Sequence, residues 1–555
     1  MRLLILLSFF SSVALAQTDS VIVTGRVNRL SARLYRQSPN ITVARTNITR
    51  GGSEQAFAAP LQPDGQFRVA VPIIYPLEEM TFRIAGASTS FLAAAGQVGI
   101  NLDNDSLFVA AVPFRFGGVN AQVNQQFAQY KAIEYQQQQA NKNDRDRQIR
   151  RAMNASTLTE TNQMLLTTFM APLSAFAAGR DVFPLVRDWV QADARYDAAA
   201  FVFDKAIANG QEIPKILLSN LLGGNENLLT PARANALTRF GTYASGQIQE
   251  LVSRSGQGIK IRRLAALIER YVPNLTAADR ERLIAMRETG AARQTELRYL
   301  SKLMERSPDT LNKLMSYENT VQSARTLYDS SLVDYLKTYA LTPLVPVSTL
   351  NSVQFLGQYI RPQLGDLRLR QSFDDVVGQA LRDTALIRQA RATYLVQQKQ
   401  SGIKYGPLGN GIFVTTGTFQ SGNELVKNAL DRNRGKVIYV VLWEPTEDGS
   451  RQLARDAQPL LDAFSDRDVA LLYVGLLGAN EATEALWLES VVRNRLRGDH
   501  LRLTTDQAQD ATALLNLYEP SSVRLITPQG KLYRREALLP DNLDKLTAQI
   551  RELLR

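Results

Sequence analysis

Glu444, Glu447, Asp448 and Ser450 crowd into residues 443–451, which read Trp-Glu-Pro-Thr-Glu-Asp-Gly-Ser-Arg. Carboxylates this close are the raw material of general acid–base or metal-assisted hydrolysis and transfer, provided they converge and one of them is held protonated. The same stretch must hand an apolar run over to a helical one, and a helix N-terminus favours negative charge. Glu447 and Asp448 are therefore expected as ionised, capping or solvated groups, which is the opposite of what a catalytic acid needs.

Composition removes other chemistries. The chain contains no cysteine, so disulfides, thiolate nucleophiles and thiolate metal sites are excluded together. It contains one histidine, His500, which makes a histidine-rich metal centre or a Ser-His-Asp triad very hard to build. His500 follows Arg497-Gly498-Asp499, and a solvated or capping ring is expected there. Asp103-Asn104-Asp105-Ser106 offers oxygen ligands but lacks the glycine and terminal glutamate of a calcium loop. No metal and no cofactor is expected.

The elements that position the acidic turn are legible around it. Val437-Ile438-Tyr439-Val440-Val441-Leu442 is uncharged, β-branched and aromatic, as befits a strand buried on both faces. After the turn, Leu453, Ala457, Leu460, Leu461 and Phe464 recur at helical spacing. Further strands are predicted at 411–415, 469–475, 500–503, 523–527 and 531–535, and helices at 450–465, 481–496, 508–517 and 541–554. Pro528-Gln529-Gly530 joins the last two strands as a hairpin turn. Such alternation predicts an α/β domain over 401–555.

Upstream the text changes twice. Residues 17–118 alternate with period two between turn signals such as Pro63-Asp64-Gly65, which predicts a β-sandwich. Residues 119–400 carry helical periodicity, with Thr276-Ala277-Ala278-Asp279 as a capping box and Ser307-Pro308-Asp309 as a helix start. The fold class read from sequence is thus multidomain α+β: an N-terminal β-sandwich, a central all-α helical region and a C-terminal α/β domain.

Residues 1–16 combine Arg2, an apolar run and Val13-Ala14-Leu15-Ala16, and predict a signal peptide cleaved after Ala16. The longest uncharged stretch beyond it, 161–179, holds too many polar residues for hydrocarbon and is expected as a buried helix, leaving no transmembrane helix. The formal charge of +11 favours anionic partners, and in an exported chain these are anionic envelope components rather than nucleic acid. The basic cluster 145–151 is expected as a solvated helix face, since it lacks stacking aromatics.

The order of elements around the turn resembles the thioredoxin superfamily, specifically the TlpA-like branch of exported thiol-disulfide oxidoreductases. In that family a strand ends in Trp, Cys-x-x-Cys follows at the head of a helix, and Arg comes next. Gly435 to Trp443 is similar to the family strand, and Arg451 falls on its arginine. Glu447 and Ser450 occupy the two cysteine positions, and Val441 replaces a buried acid that redox-active members often carry. Glu519-Pro520-Ser521-Ser522-Val523, continuing to Gly530, resembles the loop in which the family places a cis-proline facing its cysteines. The resemblance makes Pro520 the cis-proline candidate and Ser521 its neighbour. Pro459 departs from the pattern, lying a turn beyond the family's helix proline.

The resemblance implies a thioredoxin-like C-terminal domain in a periplasmic or envelope protein of a bacterium, with thiol chemistry removed. The expected function is that of a redox-inactive binding or scaffold module for an unidentified envelope protein or peptide, held in the groove beside Pro520. A hydrolase or transferase using Glu444, Glu447 and Asp448 is the alternative.

Overall fold

Apolar and polar residues alternate along β1 (Ser20–Asn28), burying Val21, Val23 and Val27 while Arg26 and Asn28 reach solvent. Alternation recurs most clearly in β4 (Gln66–Pro72), while β2 (Asn40–Asn47), β5 (Leu77–Ile84) and β6 (Ala87–Ala93) bury consecutive residues; β3 (Arg50–Pro60), β7 (Gly96–Asp103) and β8 (Phe114–Gly118) complete the set. These strands form two sheets, ordered β4-β1-β7-β8 and β3-β2-β5-β6. Both sheets contribute to one apolar core, in which Phe67 of the first and Phe82 of the second lie 5.3 Å apart. Asp103 and Asp105 both pair with Arg29.

In this computed structural model the chain divides into two units, Met1–Ala340 with Gln363–Phe373, and Leu341–Pro362 with Asp374–Arg555. The structure describes residues 19–554 apart from 85, 108, 256–257, 418–419, 477–480, 516–520 and 534–536. The expected signal peptide and Pro520 lie outside the described residues.

The first unit continues as helices, interrupted by the two-residue β9 (Leu228–Leu229), which extends the second sheet by pairing with β5. The uncharged run becomes the helix Leu158–Ala177, burying Leu165, Phe169, Leu173 and Phe176 on one stripe. Thr276 and Asp279 form the expected capping box. Ser307 stands at the N-cap of the helix Pro308–Leu327 as predicted, but its side chain makes no capping bond. No helix among the described residues is long and apolar enough to cross a membrane.

The second unit is built on a six-stranded sheet: β10 (Lys404–Gly409), β11 (Ile412–Thr416), β12 (Val437–Trp443), β13 (Val469–Leu476), β14 (Gly498–Leu503) and β15 (Ser522–Ile526). Its order is β10-β11-β14-β13-β12-β15, parallel from β11 to β12 and antiparallel at both edges. All seven residues of β12 are buried, because separate apolar layers cover the two faces of the sheet. Each fully buried Val, Leu or Ile there contributes roughly 1.5–3 kcal/mol. The chain as a whole is mixed α/β with several sheets.

Three local differences from the sequence reading have physical causes. β10 is not among the strands expected from sequence and carries Gly406 and Pro407; as an edge strand it tolerates a proline that a central one does not. The helix expected over 450–465 is two pieces, Asp448–Asp456 and Leu460–Ala463, with Pro459 at the break. The strand expected at 531–535 is reduced to a single bridge, Leu532 to Ile526, with 534–536 outside the described residues.

Candidate functional site

The turn after β12 is fixed by backbone first. Pro445 sets the chain's bend, the Glu444 carbonyl accepts from Glu447 N–H at 3.2 Å, and the Glu447 carbonyl accepts from Arg451 N–H at 3.0 Å to begin the helix. Glu447 is the N-cap residue in extended conformation (φ −97°, ψ 130°), yet its side chain caps nothing. The expected capping role for Glu447 is therefore not realised; the carboxylate is exposed and turns elsewhere.

Its partner is Ser521, whose Oγ donates to Glu447 Oε2 at 3.0 Å across 74 residues of chain. The sheet accounts for the meeting. β15 runs antiparallel to β12 with Ser522 opposite Leu442, so the chain entering β15 arrives where β12 ends. Ser521 holds a left-handed backbone (φ 61°) as it makes this entry.

Ser450 is fully buried and its Oγ accepts from Glu444 N–H at 2.7 Å. It thus ties the first residue after the strand to the first turn of the helix. Arg451 is buried as well; Nη1 donates to the Pro445 carbonyl at 2.6 Å and Nη2 pairs with the largely exposed Asp448. Burial pushes the Arg451 guanidinium down from its ordinary value and Asp448 works against that.

The three acids do not converge. Glu444 accepts from the Thr446 hydroxyl, Glu447 from Ser521 and Asp448 from Arg451. Glu447 and Asp448 are exposed and Glu444 is half-buried, so each has solvent as well as a local partner. Among the described residues no group of three His, Cys, Asp or Glu side chains is placed to hold a metal ion.

Trp443 is completely buried, and its indole Nε1 finds no hydrogen-bond partner among the described residues. It sits opposite Gly475 on β13. A Cβ at Gly475 would come within 2.6 Å of Trp487 Nε1, so this glycine is what lets a second indole cross the strand. Trp443 is a packing residue here and offers no surface to a ligand.

His500 is not solvated, contrary to expectation. It lies within β14 between β11 and β13, stacks on Tyr473 at 4.8 Å and bonds the Leu496 carbonyl through Nε2 at 2.7 Å. Desolvation lowers its pKa to about 4, so the ring is neutral at physiological pH. The charged neighbours that implied exposure are themselves accommodated, since buried Asp499 accepts from Tyr405 and from Asn433, each at 2.7 Å.

Neither a protein-family profile nor a curated protein matches the chain. Among solved structures, a solution structure assigned to a thiol-disulfide oxidoreductase of Bacteroides vulgatus is similar to part of it, with 21% identity. The similarity covers 22% of this chain and 78% of that one, with a TM-score of 0.19.

Proposed function

We propose that the second unit is a thioredoxin-like module of the TlpA-like kind that has lost redox function and holds a protein or peptide segment of the bacterial envelope at the turn after β12. The observation that carries this reading is the pairing of Glu447 with Ser521, which joins the first cysteine-equivalent position to the loop that would face it. Supporting it, the turn lies at the carboxyl end of β12, on the edge where the parallel strands of the sheet all end, and the carboxyl ends of strands in α/β sheets are where ligands collect. With glutamate and serine where a dithiol would stand, the place keeps its shape and exposed carboxylates without an electron-transferring group. Export by a cleaved leader over 1–16 belongs to the same proposal.

Binding draws on exposed groups, which here are Thr446, Glu447, Asp448 and Gly449. A photo-crosslinking residue placed at Gly449 of the full chain, in intact cells, is expected to trap a discrete partner. The charge reversal Glu447→Lys with Asp448→Lys should remove that product, and equal trapping by the reversed chain would overturn the proposal. Insulin reduction by the purified chain should proceed no faster than in buffer.

A further inference from the structure

The first unit holds a cavity of about 560 Å³ among four helices, Ala121–Ala140, Lys142–Met153, Leu158–Ala177 and Pro184–Asn209. Its walls are unequal in hydrogen-bonding character. Asp193 and Asp197 stand one helical turn apart on the same face of Pro184–Asn209 and both line the cavity. Neither carboxylate has a hydrogen bond or an ion pair among the described residues, although both are only partly accessible.

Two cations of the chain share the lining, and neither comes within ion-pair distance of the aspartates. Lys131 pairs with Glu134 at 2.7 Å, its Nζ 4.8 Å from the centre of the Trp189 ring, and Arg145 lies over Phe169 at 5.4 Å. Glu134 has a second partner in the Tyr130 hydroxyl, at 3.2 Å. Glu79, buried behind this wall, accepts from Trp189 Nε1 at 2.9 Å. Asp144, at the rim, is taken by Arg147 at 2.9 Å.

A second, independent observation lies on the opposite wall. Pro172 sits inside the helix Leu158–Ala177 and has no N–H to give, so the helix leaves the Thr168 carbonyl without its usual donor. Thr168 and Pro172 both line the cavity. The enclosure therefore presents acceptors from two sides, with the aromatic faces of Tyr130 and Phe169 between them. Donors such as Lys131, Arg145 and Gln148 share the lining, but the two carboxylates keep no donor of their own, and carboxylates beside aromatic rings complement a cation that carries several N–H groups.

We infer that this cavity binds an organic cation, an alkylammonium or guanidinium group, through the carboxylates of Asp193 and Asp197 and the carbonyl of Thr168. The size suits a small amine or the basic side chain of a peptide, and the lining does not choose between those sources. The electrostatics agree. Burial raises Asp193, with Asp197 adding to it and Lys131 opposing; burial raises Asp197 to about 6, against Arg145 and Lys131 and with Glu134. A bound cation would relieve both groups.

The test is calorimetric titration of the full chain at fixed ionic strength with butylammonium, agmatine and an acetylated, amidated Gly-Lys-Gly peptide. At least one should bind saturably, and binding should weaken as pH falls from about 7 to about 5, as Asp197 takes up its proton. Asp193→Asn and Asp197→Asn should each weaken binding by about tenfold or more, while Asp146→Asn, outside the cavity, should not. Both cavity variants should unfold at or above the temperature of the parent, since a carboxylate held against its charge costs stability at neutral pH, and this separates lost binding from lost folding. Preference for the free amines assigns a small-molecule ligand, and preference for the peptide assigns a partner's side chain. Absence of saturable binding by all three probes up to about 10 mM, or unchanged binding by the two asparagine variants, would overturn the inference.

Discussion

Ser521 Oγ donates to Glu447 Oε2 at 3.0 Å from a left-handed backbone at φ 61°. The two features oppose each other. An exposed hydrogen bond contributes about 0.5–1 kcal/mol, while a non-glycine residue in the left-handed region costs roughly 1 kcal/mol. Ser521→Ala removes the bond and keeps the backbone cost, so it should destabilise by about 0.5–1 kcal/mol. Ser521→Gly removes both and should lie within about 0.5 kcal/mol of the parent. Urea denaturation midpoints at constant m-value check the order; glycine at or below alanine would show that the bond, the strain or both are not as described.

That contact also marks how far the sequence could be read. β12 was legible in outline, because its uncharged, β-branched and aromatic run is what a strand buried on both faces requires, and the observed strand extends that run to Trp443. The proximity of Ser521 to Glu447 was not a matter of spacing, since it arises from an antiparallel pairing of β15 with β12; only the resemblance placed the two loops face to face. His500 was misread because Arg497 and Asp499 argue for solvent locally, whereas β14 is a central strand in which Asp499 accepts from Tyr405 and Asn433 and His500 Nε2 bonds the Leu496 carbonyl. Asp193 and Asp197 gave no signal at all. Acids at that spacing on a helix ordinarily face water, and only the packing of four helices encloses these.

The buried His500 makes stability fall in acid. Its folded pKa of about 4 lies below the ordinary 6.5, so the native state resists the proton that the unfolded chain accepts. Stability is complete above the unfolded value and is lost as pH falls through 6.5 toward about 4, by an amount on the order of 3 kcal/mol. His500→Phe keeps a ring against Tyr473 but forfeits the bond to Leu496, and should cost about 1 kcal/mol at neutral pH. Because Asp197 titrates near 6 with the opposite sign, the quantity to follow is the difference between parent and variant. That difference should shrink or reverse between about pH 6.5 and pH 4; a difference independent of pH would mean that the ring is not held neutral by burial.

Ser450 should matter as an acceptor. Its Oγ receives Glu444 N–H inside the protein, and alanine would leave that donor without a partner. Loss of about 1–3 kcal/mol is expected for Ser450→Ala, with Ser450→Cys falling between the two, since sulfur accepts weakly at the same position. Glu447→Ala, which removes only an exposed carboxylate, should cost about 1 kcal/mol or less. Chemical denaturation of the three variants decides this, and an alanine at position 450 as mild as one at 447 would remove Ser450 from the list of structural ties.

Arg451 and Asp448 form an unequal pair, and the inequality sets the outcome of cutting it from either side. Asp448 has 94% of its side chain exposed, whereas Arg451 has 4%. Water screens the carboxylate, so Asp448→Asn should cost about 0–1 kcal/mol and leave the guanidinium still donating to the Pro445 carbonyl. Arg451→Ala withdraws a buried stem and leaves that carbonyl bare, which should cost about 2–4 kcal/mol. Arg451→Lys retains the charge but not the fork, and a buried ammonium with one good acceptor should recover less than half of the loss. The turn after β12 is thus held from within by Ser450 and Arg451, while Glu447 and Asp448 stay free to change. Urea denaturation of the three variants reads this ranking directly; a loss on Asp448→Asn as large as that on Arg451→Ala would mean that the ion pair, and not the buried bond to the Pro445 carbonyl, shapes the site.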